Sequence, residues 1–372
     1  RPLTESLTVG IDAQLGVGTA TGIGEYVRGL LGALATSDAR ASGLLGNGAK
    51  MLSADVRAIA LYERRLDPWR FDRRIIWDQI LLPVAARRAR VDVLHCAAGT
   101  LPLAARLPPL ARVPLVATVH DVAWLRSQHH ARPYARAYFG ALQRRLYGWA
   151  RMVFVDSAFS RDELLESTAL EPQRVQVLYP GVADDVMQVI RNPDRQPFAL
   201  VVGTVEVRKN LEILVRALPS VPELRLVSVG PFTPYLARVR DIARTLGVDE
   251  RFDVRGYVSR SELLDLYARA AFAAVPSRYE GFGYAAAQAL CAGVPLIAAN
   301  AASLPEIVDG GAPLVAPDDV GGWVDAMRSR LAERASADAC AAAGRAAAVE
   351  RFGWKTGARL AITAYRRVAN EQ

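Results

Sequence analysis

Short apolar runs alternate with longer amphipathic segments along the whole chain. Runs of this length are typical of buried strands, and the segments that follow them have helical spacing. Strand–helix alternation predicts an α/β architecture with parallel sheets. In the first half the predicted strands are Leu7–Asp12, Val56–Leu61, 91–95, Leu115–Val119, Met152–Val155 and 175–178.

The pattern starts afresh after a polar stretch with two prolines, "RNPDRQP" at 191–197. We therefore predict an N-terminal Rossmann-like domain over 1–190 and a C-terminal one over 191–350, facing a central cleft. Residues 351–372 are predicted to form an amphipathic helix that packs back across both. Doubly wound sheets bind ligands outside the carboxyl ends of their strands. The predicted strands of the second half are 198–204, 224–229, 252–256, 271–275, 295–299 and 313–315.

Composition indicates a soluble, cytoplasmic protein. Hydrophobic residues make up 51% of the chain and charged residues 23%, yet no apolar run reaches the ~18–20 residues of a membrane span. No signal peptide is evident. The three cysteines, Cys96, Cys291 and Cys340, are predicted to be reduced, packed thiols. Neither a zinc-type Cys/His spacing nor an Asp-x-Asp pair for a divalent metal occurs.

The net charge of +8 comes from 46 basic residues, of which 43 are arginine. This excess indicates either a solvated arginine surface or attraction to anionic lipid or phosphorylated substrates. Nucleic acid is disfavoured because the arginines are dispersed and no aromatic-interleaved basic motif occurs. The segment "WRFDRRIIWDQILLPVAARRAR" at 69–90 has Trp69, Phe71, Ile75, Ile76 and Trp77 among arginines. It predicts either a membrane-surface helix or a helix that packs within its domain.

Two loops of the first half have ligand-binding character. "GVGTATGIGEY" at 16–26 follows the first strand, and its Gly22 and Gly24 allow backbone amides to approach a ligand beside a helix N-terminus. A structural turn is the alternative, since the spacing is not that of a dinucleotide fingerprint. His120 directly follows the strand Leu115–Val119, where it is either a satisfied core residue or a group for acid–base or sugar-orienting work.

Two loops of the second half place charge at strand ends. In "VVGTVEVRKN", Arg208 offers a planar guanidinium and Lys209 a compact ammonium, and both suit a phosphate. The alternative is that both are solvated surface residues. Glu280 stands in "YEGFG", where Gly281 and Gly283 expose amides before a helix. Together the four loops indicate a cationic, amide-lined site for a diphosphate, with an acid for hydroxyl groups.

Several stretches in order resemble a family 4 glycosyltransferase of GT-B fold. They include "TGIGEYVRGLL", "TVHDVAWL", "VDSAFSRDEL", "VGTVEVRKNLEILVRAL" and "VPSRYEGFGYAAAQALCAGVPLIAANAASLPEIV". The resemblance extends over about 7–368. It implies a retaining, metal-independent enzyme without a cofactor, in which the C-terminal domain binds a nucleotide-sugar donor and the N-terminal domain mainly the acceptor.

The resemblance also implies roles for individual residues. Arg208 and Lys209 would contact the diphosphate, Glu280 the donor-sugar hydroxyls, and His120 would lie beside that sugar. Thr204 stands where many relatives have an arginine. The other implied donor contacts are Gly22 and Gly24 near the diphosphate, the amides of Gly281, Phe282 and Gly283, the backbone of Tyr257 and Val258 at the base, and Leu304 near the ribose and phosphate.

Gln288 departs from the family pattern, in which a second acid usually bonds the ribose hydroxyls. A glutamine accepts through one oxygen and donates through its NH2 group. We interpret it as an adaptation that weakens or retunes nucleotide binding by about 1 kcal/mol.

The motif style is similar to that of mannosyl- and rhamnosyl-type transferases of bacterial surface polysaccharide synthesis. The resemblance therefore suggests GDP-mannose as donor and a saccharide or lipid-linked saccharide as acceptor, at the inner face of the membrane. The alternatives are a non-catalytic nucleotide-sugar sensor or subunit, a sugar-nucleotide epimerase, and a phosphorylase carrying pyridoxal phosphate on Lys209 or Lys355. The oligomeric state stays open.

Overall fold

A computed structural model describes residues 7–17, 22–34, 49–53, 56–67, 70–108, 110–123, 136–194 and 196–371 of the chain. The chain divides into two units. Unit 1 consists of Arg1–Gly181 together with Trp354–Gln372, and unit 2 is the continuous stretch Val182–Gly353. Unit 1 is therefore discontinuous in sequence.

The described part of unit 1 contains a seven-stranded sheet with the order β2-β3-β1-β4-β5-β6-β7. Strand β2 pairs antiparallel with β3, and the other pairs are parallel. Parallel strands end at a common edge, so the residues that follow β1, β4, β5 and β6 lie along one side of the sheet. The strands are β1 (Leu7–Asp12), β2 (Ala49–Ser53), β3 (Val56–Leu61), β4 (Val93–Cys96), β5 (Leu115–Val119), β6 (Met152–Val155) and β7 (Val175–Val177).

Helices cover both faces of this sheet, and alternate strand residues face different layers. Val153 and Val155 pack in one apolar cluster with Trp77, whereas Met152 and Phe154 pack in a second cluster with the first and last helices. The helices are α1 (Gly22–Ala33), α2 (Phe71–Ile76), α3 (Leu82–Arg88), α4 (Gln143–Leu146), α5 (Ala158–Ser167) and α14 (Trp354–Asn370), with π-helical turns at Trp77–Leu81 and Arg136–Leu142.

Helix α14 is part of the core of unit 1. The Tyr365 hydroxyl lies 2.8 Å from His95 Nδ1, and His95 Nε2 lies 2.8 Å from Thr118 Oγ1. Thr118 Oγ1 in turn lies 3.1 Å from the hydroxyl of Tyr26 on α1. Burial lowers the pKa of His95 to about 3, so this imidazole is neutral and exchanges hydrogen bonds with the two hydroxyls.

The contact between α1 and α14 depends on a residue without a side chain. A Cβ atom added at Gly29 would lie 2.1 Å from the indole of Trp354. No real Cβ contact is that short, so the indole occupies the space that a side chain at position 29 would need. The glycine thus allows the first and last helices of unit 1 to pack closely.

The basic segment at 69–90 is helical from Phe71, and at Trp77 the structure shows the second alternative, packing within the domain. Trp77 is fully buried, and its Nε1 donates to Asp12 Oδ1 at 2.8 Å. Arg74 is also buried, and its Nε donates to Asp78 Oδ2 at 2.9 Å. The indole is therefore a core group rather than a lipid-facing one, and Trp69 lies outside the described residues.

Unit 2 contains a six-stranded parallel sheet with the order β10-β9-β8-β11-β12-β13. Strands β8 and β11 are central neighbours, so the loops after them meet at the same edge. The strands are β8 (Gln196–Val202), β9 (Arg225–Val229), β10 (Phe252–Val254), β11 (Ala270–Val275), β12 (Leu296–Ala299) and β13 (Leu314–Val315).

The described residues of unit 2 form eight α-helices: α6 (Asp184–Met187), α7 (Leu211–Ala217), α8 (Tyr235–Thr245), α9 (Arg260–Arg269), α10 (Tyr284–Cys291), α11 (Leu304–Val308), α12 (Val320–Ala332) and α13 (Arg334–Arg351). Cys96 and Cys291 are buried as predicted, whereas Cys340 on α13 is exposed. Across the described ranges of both units, no helix has the length and apolar character needed to cross a bilayer.

Candidate functional site

The basic pair of unit 2 lies on a short turn at a strand end. Arg208 and Lys209 belong to the 3-10 turn Val207–Lys209 between β8 and α7. The Glu280 loop follows β11, the neighbour of β8. Two segments some seventy residues apart in sequence thereby meet at one edge of the sheet.

One carboxylate holds both cations. Lys209 Nζ lies 2.6 Å from Glu280 Oε1, and Arg208 Nη1 lies 3.3 Å from Glu280 Oε2. Arg208 Nε also lies 2.8 Å from Glu206 Oε1. The Glu280 side chain is 7% exposed, whereas those of Lys209 and Arg208 are 20% and 30% exposed. Solvent therefore reaches the cations, while the acid that joins them is covered.

Glu280 is ionised at neutral pH. Burial by itself raises the pKa of this carboxyl, but the charges of Lys209 and Arg208 and hydrogen bonds from Lys209 and Ser277 outweigh it. The net result is a pKa below the ordinary glutamate value. The cluster of Arg208, Lys209, Glu206 and Glu280, here called the unit 2 charge cluster, carries no net charge.

Two buried side chains hold the loops of this cluster in place. Asn210 begins α7 in the left-handed region (φ 55°), and its Nδ2 donates to the carbonyl oxygens of Pro276 and Pro317 at 3.1 and 2.8 Å. Ser303 Oγ donates to the carbonyl oxygens of Glu280 and Phe282 at 3.0 and 2.7 Å. The loops after β8, β11, β12 and β13 are thus tied to one another.

The glycine before α10 permits a close approach. Gly283 has φ +98°, and a Cβ atom there would lie 2.9 Å from Leu304 Cδ2. Leu304 is fully buried, and Gly281 and Phe282 are buried as well. The ring of Phe282 packs edge-on against Phe352 at 5.6 Å between centroids. Gly281, Phe282 and Gly283 thus follow Glu280 in a buried, closely packed turn.

Gln288 has a protein partner. The hydroxyl of Tyr267 on α9 donates to Gln288 Oε1 at 3.1 Å, and Tyr267 is fully buried. The amide oxygen is therefore the end fixed by the protein, and the NH2 group is the end left to face other partners. Gln288 is half-buried on α10, so a ligand at this position would meet a hydrogen-bond donor first.

The remaining predicted donor contacts are spread along the same edge of the sheet. Thr204 is half-buried directly after β8, beside the basic turn. Tyr257 and Val258 follow β10, two strands away from β8. Tyr257 is 58% exposed, so its ring is available to a ligand that reaches this end.

His120 of unit 1 is held at both ring nitrogens. Its Nδ1 lies 2.8 Å from Asp156 Oδ2, and its Nε2 lies 2.9 Å from the carbonyl oxygen of Ala97. The Tyr26 ring packs edge-on against the imidazole with 4.8 Å between centroids. The His120 side chain is 13% exposed. The structure thus places His120 at the carboxyl end of β5, fixed by groups that follow β4 and β6.

Geometry and electrostatics favour the protonated, imidazolium form of the His120 ring. Burial lowers the pKa of His120, but the Asp156 carboxylate, the Ala97 carbonyl and the Asp121 charge outweigh it and raise the net pKa. A carbonyl only accepts, so Nε2 carries a proton, and imidazole is ordinarily more basic than carboxylate, so Nδ1 carries one too. The ring has no free lone pair and in this geometry offers a positioned charge rather than a general base.

Gly22 and Gly24 lie in the first turn of α1 rather than in the preceding loop. The helix therefore begins inside the segment 16–26 that the sequence analysis treats as a loop. This end carries the positive pole of the helix dipole, which favours an anionic ligand there. Residues 18–21 of the glycine-rich loop lie outside the described residues.

Four supporting residues were missed by the sequence analysis: Asp156, Tyr26, Asn210 and Ser303. Asp156 follows β6 directly, as His120 follows β5, so an acid at the end of the neighbouring strand was a usable signal. The other three act through contacts between residues far apart in sequence, which spacing does not reveal. No group of three His, Cys, Asp or Glu that suits a metal ion occurs among the described residues.

Two family models match the chain in adjoining stretches. The model of "Glycosyltransferase Family 4" matches residues 20–186, and that of "Glycosyl transferases group 1" matches residues 182–347. The first falls on unit 1 and the second on unit 2.

Curated relatives agree with these models. The D-inositol 3-phosphate glycosyltransferase of Mycolicibacterium paratuberculosis is 31% identical over 281 residues, which cover 70% of this chain and 63% of the relative. That of Xylanimonas cellulosilytica is 30% identical over 280 residues, which cover 68% of this chain and 66% of the relative. The matched region thus spans slightly less than two thirds of the length of these relatives.

Solved structures show the same fold. Sucrose-phosphate synthase from Thermosynechococcus elongatus matches with a TM-score of 0.76 at 20% identity, over 98% of this chain and 100% of that one. Anabaena HepE in complex with UDP matches with a TM-score of 0.70 at 17% identity, over 97% of this chain and 100% of that one. The predicted fold class is confirmed, and the chain belongs to the family 4 glycosyltransferases of GT-B fold.

Proposed function

We propose that the chain transfers a hexose from a nucleoside-diphosphate sugar to a saccharide or lipid-linked saccharide. The carrying observation is the convergence of Lys209 and Arg208 on the ionised Glu280 at the carboxyl edge of the unit 2 sheet. Because the cluster is neutral without a ligand, a diphosphate binds by taking over the two cations. Glu280 is then free to accept hydrogen bonds from sugar hydroxyls.

In the proposed reaction the acceptor hydroxyl attacks the anomeric carbon on the face from which the diphosphate departs, so the configuration is retained. A departing phosphate oxygen takes the proton of that hydroxyl. Lys209 and Arg208 neutralise the charge that develops on the leaving diphosphate, which is the task of a metal ion in other transferases. Transfer is therefore proposed to be metal-independent.

The donor is assigned to unit 2 and the acceptor mainly to unit 1. The exposed Tyr257 ring with Val258 is proposed to lie at the base, with Thr204 beside the phosphates and Gln288 at the ribose. The N-terminal end of α1 at Gly22 and Gly24 and the charge on His120 are proposed to add positive potential for the diphosphate and the sugar.

GDP-mannose is the proposed donor, and the UDP-sugars are the principal competitors. HepE, a structural neighbour, was solved with UDP and glucose. The relatives named D-inositol 3-phosphate glycosyltransferase extend the acceptor candidates to a phosphorylated cyclitol.

Thermal unfolding with GDP, UDP, ADP and dTDP, each with EDTA, tests the donor site. A nucleotide at about 100 times its Kd adds about 2.7 kcal/mol of stability. We expect a selective rise with one nucleotide, followed by transfer from the matching sugar donor and a product that retains the anomeric configuration by NMR. An inverted product, or activity only with added metal, would contradict the mechanism.

A second candidate is a non-catalytic nucleotide-sugar sensor or subunit. It is favoured by one observation, the hydrogen bond that fixes the oxygen of Gln288 to Tyr267 rather than leaving it for a ligand. Binding of a nucleotide sugar without turnover across a panel of acceptors would favour this reading, and any measurable transfer excludes it.

We also propose that the protein is cytoplasmic and attaches to the anionic inner face of a membrane through unit 1. Ile76, Ile80 and Val84 are 42%, 57% and 38% exposed. Their spacing of four residues places them on one side of the run from α2 to α3. Arg87 and Arg88, also exposed, follow on the same run and complement anionic headgroups.

Co-sedimentation with vesicles tests this attachment. We expect binding to vesicles containing phosphatidylglycerol at low salt, and loss of that binding in Ile76→Ser/Ile80→Ser. Leu246→Ser/Leu314→Ser in unit 2 is the matched control, since both leucines are 38% exposed. Equal binding by the two double variants would overturn the assignment of this face.

A further inference from the structure

A large concave pocket lies at the opposite edge of the unit 1 sheet from His120. It has a volume of about 790 Å³. Its lining includes Pro114 and Leu115 at the start of β5 and Arg151 directly before β6. Parallel strands start at one edge and end at the other, so this pocket is separate from the edge where the glycosyl-transfer groups of unit 1 are proposed to act.

The pocket is strongly basic. Five arginines and two glutamates line it, which leaves an excess of three positive charges. Both acids already have partners. Glu371 Oε1 accepts from Arg367 Nε at 2.9 Å, and Glu171 Oε2 accepts from Gln173 Nε2 at 2.8 Å.

Three of the arginines have no acid beside them. Within the described part of the chain, no carboxylate lies within ion-pair distance of Arg106, Arg112 or Arg151. The Arg106 guanidinium instead lies over the Trp149 ring, 5.0 Å from its centroid. Arg112 and Arg151 are exposed. Three uncompensated guanidinium groups therefore surround one concave space.

The remaining wall is fixed by hydrogen bonds. Arg174 lines the pocket and donates to the carbonyl oxygens of Gly148 and Ala150, the residues on either side of Trp149. These contacts hold the segment that carries the indole. The pocket thus combines an aromatic wall held by hydrogen bonds with exposed cationic side chains.

We propose that this pocket binds a small phosphorylated anion with at least two negative charges, at a site separate from glycosyl transfer. Guanidinium groups pair with phosphate oxygens through two parallel hydrogen bonds, and three of them match a diphosphate or a phosphate ester better than a single carboxylate. The volume is within the range of small-molecule sites. The phosphate belongs either to a free metabolite or to a lipid headgroup.

Isothermal titration with pyrophosphate tests the site. Arg112→Glu/Arg151→Glu is expected to weaken binding at least tenfold while the unfolding temperature stays within the range of the wild type. The control is Arg225→Glu/Arg240→Glu in unit 2, which changes the net charge equally at two exposed arginines and is expected to bind as the wild type does. Pyrophosphate could also bind at the unit 2 charge cluster. Binding there would be lost in Lys209→Ala and kept in Arg112→Glu/Arg151→Glu, which distinguishes the two sites.

A second arm uses phosphatidylcholine vesicles with and without phosphatidic acid. Loss of vesicle binding in Arg112→Glu/Arg151→Glu, with no pyrophosphate binding in the wild type, assigns the phosphate to a lipid headgroup. Pyrophosphate binding without vesicle binding assigns it to a soluble anion. If the wild type and Arg112→Glu/Arg151→Glu bind both probes equally, or neither binds any, the proposal is wrong.

Discussion

The unit 2 charge cluster and the ion pair of His120 with Asp156 in unit 1, here called the His120 pair, both lie at the carboxyl ends of parallel strands. They hold their cations differently. In unit 2 one covered acid, Glu280, joins two cations that are 20% and 30% exposed. In unit 1 one cation, His120, has an acceptor at each ring nitrogen and is 13% exposed.

The difference determines what each region offers a ligand. A phosphate reaches Lys209 and Arg208 from solvent and replaces the carboxylate as their partner. His120 has no nitrogen to give up without breaking a bond to Asp156 or to the Ala97 carbonyl. The unit 2 charge cluster is therefore suited to exchange partners, whereas the His120 pair is suited to keep a charge in a fixed place.

Removing the exposed ammonium of unit 2 is expected to have the largest effect. Lys209→Ala should lower kcat by 10²- to 10³-fold, since a lost donor at a developing charge costs about 3–4 kcal/mol. Steady-state kinetics with the matching donor measures this. Lys355→Ala, an exposed lysine in unit 1, is the matched control. Near-normal turnover in Lys209→Ala would contradict the proposal that Lys209 stabilises the leaving diphosphate.

Removing the fixed acid of unit 1 should act mainly on stability. Asp156→Asn leaves the buried imidazole without its carboxylate, and we expect a loss of about 2–3 kcal/mol in the free energy of unfolding at pH 6. Because the pKa of His120 is raised, this contribution is complete below the unfolded value near 6.5 and disappears as pH rises through the folded value.

Urea unfolding at pH 6 and pH 9 tests this. The difference in unfolding free energy between the wild type and Asp156→Asn should be smaller at pH 9 than at pH 6. The His120 resonances should titrate at lower pH in the variant. A difference in stability that grows with pH would contradict the assignment of the proton to the imidazole.

Glu280→Gln sharpens the comparison through acid titration. Glutamine has the same size and shape as the glutamate side chain but no charge, so Lys209 and Arg208 lose their shared acid. We expect a loss of about 1–3 kcal/mol in unfolding free energy at pH 7. The pKa of Glu280 is lowered, so its contribution is present above about pH 4.3 and is lost as pH falls through the folded value. Chemical unfolding at pH 7, 5 and 3.5 should show a similar stability difference between the wild type and Glu280→Gln at the first two pH values and a smaller one at pH 3.5.

Gln288→Glu should have the smallest effect. A carboxylate still accepts from Tyr267 and presents a second oxygen to ribose hydroxyls, so nucleotide affinity should rise about fivefold, or about 1 kcal/mol. Calorimetric titration measures this against Gln188→Glu, which adds the same charge at an exposed site of unit 2. Unchanged affinity would mean that position 288 does not contact the nucleotide.

Apolar periodicity predicted most of the fold. The strands β1, β3, β5 and β6 match their predicted bounds because each is a short, mainly apolar run. Strand β2 was missed: it is an antiparallel addition beside β3 with only a short mixed sequence, "AKMLS". The surroundings of Trp77 stayed open because an aromatic residue among arginines looks alike in sequence whether it faces lipid or a buried aspartate.

For the candidate site, the sequence gives positions but not partners. It indicated that Arg208, Lys209 and Glu280 lie at strand ends, and the structure shows that the two strands are neighbours and brings the side chains together. It did not reveal that Tyr267 holds Gln288 or that Asp156 and Ala97 hold His120. Such contacts depend on side-chain directions after packing, which have no signature in spacing along the chain.

The return of the chain to unit 1 at Trp354 has a consequence for synthesis on the ribosome. Unit 2 is continuous, so all of its strands are available before α14 has been made. Unit 1 must wait for α14 to supply Tyr365 to His95 and the indole that occupies the space at Gly29. The half of the protein that is translated first is therefore the last to complete its core, and during elongation its unfinished apolar face is the surface that a chaperone would meet.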